Sequence, residues 1–164
     1  MEITRPDDKS VRLSRLDSFL TELLRGVPKS ADPGDNSAAR ARLFSTPSHD
    51  QAEAEFVDDW QQYVEPELRR LFQTTLEVIE DDLQKLQFDK ASAQSAMTIP
   101  LSHLESWVHG LNQARLALAT RHAFSDEEME RALSISTDPR ALALLQVRFY
   151  GVLQELFLRE LEGH

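Results

Sequence analysis

Apolar residues along this chain recur at spacings of three and four, the period of a helix with one buried face. Leu16, Phe19, Leu20, Leu23 and Leu24 form such a face, with Ser14 and Asp17 as capping residues and Gly26 as a stop ahead of Pro28, which predicts a helix over 14–25. Residues 27–50 carry Pro28, Pro33, Gly34, Asn36 and Pro47 and read as a flexible, turn-rich loop, with one or two helical turns over Ala38–Phe44. Phe56, Trp60, Tyr63 and Val64 predict a helix over 51–64. Pro66 lacks an N–H and either kinks that helix or opens the next at its first position. Leu68, Leu71, Phe72, Leu76, Ile79, Leu83 and Leu86 then continue a stripe over 66–87.

Phe88 to Thr98 is small and polar and reads as a connection. Ser102 with Glu105 makes a capping box for a helix over 102–121, whose face is Leu104, Trp107, Val108, Leu111 and Leu118. A second box, Ser125 with Glu128, opens a short helix over 126–134, and Asp138-Pro139 caps and starts a last helix over 139–161. The expected fold class is therefore all-α, a bundle of five to six helices broken or kinked at Pro66. Residues 1–10 are expected as a flexible N-terminus and 11–164 as one helical domain. The last helix is apolar on two sides, with Leu142, Phe149, Leu153 and Phe157 on one and Leu144, Val147, Gly151 and Leu158 on the other. Such a helix is central or shared, so the second side is expected to be covered by the first helix or by a second copy of the chain.

At 164 residues, with 41% hydrophobic and 28% charged side chains, the chain is long enough for one self-sufficient core. Its 18 basic and 28 acidic residues give a net charge of −10, which disfavours binding to nucleic-acid backbones. Arg40, Arg42, Arg69 and Arg70 are the one plausible basic patch. The acidic start of the chain lacks a secretory apolar core, and no stretch reads as the roughly 20 apolar residues of a membrane span, so a cytoplasmic protein is expected. With no cysteine, thiolate metal sites, disulfides and a cysteine nucleophile are excluded.

No reaction is named by the remaining motifs. The glycines at 26, 34, 110 and 151 are too scattered for a phosphate-cradling loop or a nucleophile elbow. No Glu-x-x-His pair for a di-iron bundle and no His-Glu-x-x-His occurs, and Glu105 with His109 reads as a solvated pair away from the apolar stripe. Asp58-Asp59, Glu80-Asp81-Asp82 and Asp126-Glu127-Glu128 read as solvated helix faces, except that Asp82 projects onto the apolar side. No catalytic, cofactor or metal residue is assigned. Arg115 projects into the stripe of Leu104, Val108, Leu111 and Leu118, where a guanidinium needs a carboxylate. Asp82 or Glu160 is the expected partner, with Asn112 bordering the network; the alternative is a pocket in which Arg115 takes a small anionic ligand.

The run Thr98-Ile99-Pro100-Leu101, then Trp107, then Leu111-Asn112-Gln113-Ala114-Arg115-Leu116-Ala117-Leu118, with Ala41-Arg42-Leu43-Phe44 and Glu55-Phe56 earlier, resembles an actinobacterial family known as domain of unknown function 2017. That resemblance implies an all-helical cytoplasmic protein without established catalysis, often encoded near the adaptor of the Clp protease. The family includes a regulator of the oxidative-stress response that works through a close pair of cysteines and contacts with transcription machinery. A thiol switch is impossible in this cysteine-free chain, whereas regulation by contact is not. The expected function is a non-enzymatic regulatory or protein-interaction protein with a protein partner, linked to stress response or regulated proteolysis. The alternatives are a transcription regulator that binds DNA directly and the anionic-ligand binder built on Arg115.

Overall fold

Ser10–Leu16, whose last three residues fall in the helix expected over 14–25, is a β-strand, and the fold is α plus β rather than all-α. The computed structural model describes residues 1–130 and 138–163. Strands β1 (Glu2–Asp7), β2 (Ser10–Leu16), β3 (Gln87–Asp89) and β4 (Gln94–Pro100) form an antiparallel sheet in the order β1-β2-β4-β3. The central pair, β2 with β4, sets Val11 opposite Ile99 and Leu13 opposite Met97. Both edges are unattractive to further strands, because β1 carries Pro6 and alternating charge and β3 has three residues.

Two features hid this sheet. The register shifts between Leu13 and Leu16, where Arg15 takes the left-handed conformation at φ +53°, so that Leu16 returns to the inward face three residues after Leu13. A bulge thus imitates helical spacing. In β4 the inward positions are Ser95, Met97 and Ile99, a true alternation weakened by a serine. The first ten residues, read above as a flexible lead, hold β1 and the turn into β2.

The two hairpins share one device. Asp7 accepts from the Lys9 N–H and the Ser10 hydroxyl, both at 2.8 Å, and Asp89 accepts from the Ala91 N–H at 3.0 Å and the Ser92 hydroxyl at 2.7 Å. Each aspartate fixes the tight return of the chain with its own side chain.

The helices follow the apolar pattern more closely. Helix α1 (Ser18–Arg25) is capped by Asp17, which accepts from the Leu20 N–H at 2.8 Å, and so begins four residues later than expected. The expected loop 27–50 contains α2 (Val27–Ala31) and α3 (Ser37–Leu43), the latter capped by Asn36. A 3₁₀ turn (Gln51–Glu53), α4 (Ala54–Asp59), a π-helical turn (Trp60–Val64) and α5 (Glu65–Gln84) follow without a break. Pro66 stands in the first turn of α5, as one of the two expected alternatives had it, and does not break the helical path. The turn before it is widened instead, the Glu65 N–H donating to the Trp60 carbonyl five residues back.

A 3₁₀ turn (Leu101–His103) leads into α6 (Leu104–His122), and the expected Ser102–Glu105 box does not cap it, since His103 stands at the cap without a side-chain bond. The Ser125–Glu128 box does form, the Glu128 N–H donating to Ser125 Oγ and the Ser125 N–H to Glu128 Oε2 at 2.9 Å. It opens α7 (Asp126–Glu130); the rest of the helix expected over 126–134 lies outside the described residues. Asp138 caps α8 (Pro139–Glu162) through the Arg140 N–H.

Helix α6 is the hub and packs against α8, α2, α3 and α5. Its buried residues, Leu104, Trp107, Gly110, Leu111, Ala114, Ala117 and Leu118, leave Glu105, His109 and Asn112 exposed. Trp107 meets Phe157 of α8 edge to face, with ring centroids 5.9 Å apart, a pairing worth about 0.5–1.5 kcal/mol beyond burial. Tyr150 is fully buried and its hydroxyl donates to the Leu23 carbonyl at 2.9 Å, tying α8 to α1. Burial pushes its phenol pKa upward.

Helix α8 has the length and apolar composition of a membrane-crossing helix, contrary to the reading above, yet Ala143, Val147, Tyr150, Leu153 and Phe157 are core residues of the domain. That buried line falls between the two sides expected from the sequence. Val147 is buried, Leu144 and Gly151 half-buried, and Leu158 exposed, so the expected second side is not a single covered surface.

A Cβ placed on Gly110 would lie 2.2 Å from Cδ1 of fully buried Ile79, so glycine sets the distance between α5 and α6. Gly110→Ala is expected to destabilise, because overpacking costs about 1–3 kcal/mol against a gain of about 1 kcal/mol in helix propensity. Ile79→Val in the same chain, which removes the opposing methyl, is expected to restore part of the loss in urea denaturation.

Hydrogen bonds to backbone and serine hold the Asp7 and Asp89 carboxyls below the ordinary value of 3.8, first through Lys9 in one hairpin and Ser92 in the other. A depressed folded-state pKa contributes stability above the unfolded value and loses it as pH falls through the folded one. Both hairpins are therefore expected to loosen only below about pH 4, read as faster hydrogen exchange at Lys9 and Ala91.

Candidate functional site

The four polar residues expected to share a network lie in separate places. Asp82, fully buried on α5, takes Trp107 Nε1–H at 3.1 Å, Lys85 Nζ at 3.0 Å and His103 Nδ1 at 2.9 Å. A proton on His103 Nδ1 would complete that hydrogen bond. Three donors, from Lys85 at the end of α5, from the 3₁₀ turn and from α6, converge on one buried carboxyl, which makes Asp82 a structural clamp between α5 and α6.

Arg115 does not reach it. Its position is eight residues beyond Trp107, about 12 Å along the helix, and its side chain lies over Gly151 of α8, where Nη1 donates to Gln154 Oε1 at 2.7 Å. Among the described residues Arg115 Nε has no partner. Glu160 is taken by Arg5 of β1, which donates to both its carboxylate and its backbone carbonyl, and Asn112 is exposed. A helical wheel ranks Arg115 as facing apolar residues but cannot say which neighbour lies there.

Two hollows adjoin these elements. Arg115, Val147, Gly151 and Gln154 line an open groove of about 700 Å³ on α8. A wider cleft of about 1210 Å³ runs between α2, α3 and α5. It brings Arg25, Lys29 and Arg40 together with Asp32, Glu77 and Glu80, so an anion there would meet as many carboxylates as cations.

The expected basic patch is dispersed by its own partners. Arg69 is bound to Glu65 and stacks 4.3 Å from the centre of the Phe44 ring, which in turn meets Phe72 at 5.3 Å, while Arg70 is bound to Glu67 at 2.9 Å. Arg40 and Arg42 are exposed on α3. Each arginine of α5 that might neutralise a phosphate already faces a glutamate, which opposes direct DNA binding.

The feature that the sequence placed in the core and the structure places outside is the segment from α4 into α5. No residue of Gln51–Val64 is buried. Phe56, Tyr63, Val64, Leu68 and Leu71 are all exposed, Tyr63 by 66% and Phe56 and Leu71 by 55%. Further along, Leu76, Ile79 and Leu83 pack into the domain. One continuous helical segment thus has a buried C-terminal end and an apolar N-terminal end facing water.

Residues 3–161 match the family described as Domain of unknown function (DUF2017). The chain belongs to that family. Neither a curated protein nor a solved structure matches it. The family description assigns no activity, so the functional reading rests on the geometry of this chain.

Asp82→Ala leaves Trp107 Nε1 and His103 Nδ1 facing an empty buried position and is expected to cost about 3–5 kcal/mol. Asp82→Asn keeps one acceptor oxygen and is expected to cost less. Arg115→Ala, which removes a half-buried bond to a neutral amide, is expected to cost only about 1–2 kcal/mol. Chemical denaturation of the three variants checks this order.

Proposed function

We propose that this chain is a non-enzymatic protein-interaction module whose contact surface is the exposed strip of Phe56, Trp60, Tyr63, Val64, Leu68 and Leu71. The observation that carries the reading is the exposure of five of these large apolar side chains along one helical segment. Contiguous exposed apolar surface on a folded domain marks a site of association, and aromatic residues are enriched where partners bind. The condition of the polar groups supports the same reading. Asp82 has its oxygens committed to three donors, and Arg115 is spanned across Gly151 to Gln154. The resemblance noted from the sequence adds a setting, the cytoplasm of an actinobacterium, and a role in stress response or regulated proteolysis exerted by contact and without a thiol switch.

A photo-crosslinking residue in place of Tyr63, expressed in the native host, tests the surface directly. The strip is expected to yield a discrete covalent adduct on illumination, while the same residue at Asp35, exposed between α2 and α3, yields none. Absence of any adduct from Tyr63, or the same adducts from both positions, would overturn the proposal.

A further inference from the structure

The half-buried guanidinium of Arg115 has no counter-ion among the described residues. Its bond is to the neutral amide of Gln154, and its Nε is buried without an acceptor. A charge drawn out of water is ordinarily paired, because burial costs several kcal/mol that only an opposite charge and hydrogen bonds offset. The acids within reach of α8 are taken elsewhere. Glu155, which lines the same groove, is bound to Arg159, and Glu160 is bound to Arg5.

The groove is shaped to hold the guanidinium where it is. A Cβ on Gly151 would lie 3.3 Å from Arg115 Nε and 3.4 Å from its Cζ, so the missing side chain gives the guanidinium its place against α8. Gln154 then decides what the groove accepts. With Oε1 turned to Arg115, its amide nitrogen carries two donors and no acceptor. No described residue accepts from Arg115 Nη2, which carries two more. A glutamate at 154 would close an ion pair with Arg115, whereas the glutamine leaves the positive charge open. Arg148 also lines the groove, so two guanidinium groups face it against one carboxylate. The wider cleft between α2, α3 and α5 lacks this imbalance, its cations being matched by acids. Val152 and Leu158, both exposed, give the α8 groove an apolar border.

We propose that this groove binds a small aliphatic carboxylate, its oxygens on Arg115 and the Gln154 amide nitrogen and its hydrocarbon chain against Val152 and Leu158. A planar guanidinium fork matches a carboxylate better than a compact cation would, and the apolar border favours a chain of a few carbons over a bare anion. The site is built from α6 and α8 and shares no residue with the exposed strip of α4 and α5, so neither proposal depends on the other.

Titration of the isotope-labelled full chain with sodium butyrate, followed by NMR at ionic strength held constant with sodium chloride, is expected to move the Gly151 backbone and Gln154 side-chain amide resonances along a saturable curve. Butyramide, similar in shape but uncharged, is expected to move neither, and acetate is expected to bind more weakly than butyrate. Arg115→Gln is expected to weaken butyrate binding about 10–100-fold, the worth of one hydrogen bond to a charged group. Gln154→Glu is the decisive variant, because it keeps the length of the side chain and places a carboxylate of the chain itself on Arg115. It is expected to abolish butyrate binding while the melting temperature stays the same or rises, which separates a closed site from a damaged fold. Shifts that never saturate, an equal response to butyramide, or undiminished binding by Gln154→Glu would overturn the proposal. Tighter binding of inorganic phosphate than of butyrate would overturn it as well.

Discussion

A helix that must pack against four neighbours at once constrains every one of them, and α6 is that helix. It meets the constraint with small residues at the crossings. Gly110 lets α5 approach until Ile79 touches its backbone, Ala114 and Ala117 are buried without bulk, and Gly151 of α8 accepts the Arg115 side chain. Large side chains fill what remains, Trp107 and Leu111 toward the core that also takes Val11, Leu13 and Ile99 from the sheet. The sheet has its place because α1 and α6 each follow directly from one of its two central strands, so the β2–β4 pair joins the beginning of the chain to its middle.

The long helices were legible because their apolar spacing extends over many residues, and their ends shifted where a cap, a 3₁₀ turn or a strand intervened, whereas five-residue α2 was too short to show a period. The sheet was not legible because each central strand lacked its usual signature. In β2 a bulge converts spacing of two into spacing of three between Leu13 and Leu16, and in β4 serine takes one inward position and Ala96 and Thr98 stand between the others. The tight returns that bound these strands were visible only as Asp and Ser in polar stretches. Their meaning depends on Asp7 and Asp89 folding back onto residues two and three places ahead, a local geometry that many loop sequences would also permit.

The candidate site divides in the same way. The spacing of Phe56, Trp60, Tyr63, Val64, Leu68 and Leu71 was plain, but apolar periodicity reports a surface that avoids water and not whether the same chain covers it. Arg115 and Asp82 were both singled out as polar groups on apolar faces; Asp82 is fully buried and Arg115 half-buried over Gly151. Their expected pairing does not form, because two residues on different helices meet only if their heights along the axes agree, and Asp82 stands level with Trp107 and His103.

The buried carboxylate and the exposed strip belong to one physical arrangement. Asp82, Ile79 and Leu83 fasten the C-terminal end of α5 to α6 by charge, packing and the absence of a side chain at Gly110. A 20-residue helix is stiff over about 30 Å, and the residues before it, none of them buried, continue its path without a break. Unlike a flexible tail, such an element loses little conformational freedom when a partner covers it, and that saving favours association. Pro66 and the π turn fit the same requirement. Proline cannot donate to the preceding turn, and widening that turn keeps the segment helical while rotating Val64, Leu68 and Leu71 into line with Phe56, Trp60 and Tyr63. A break at Pro66 would have left two short helices with separate apolar faces. The widened turn leaves one.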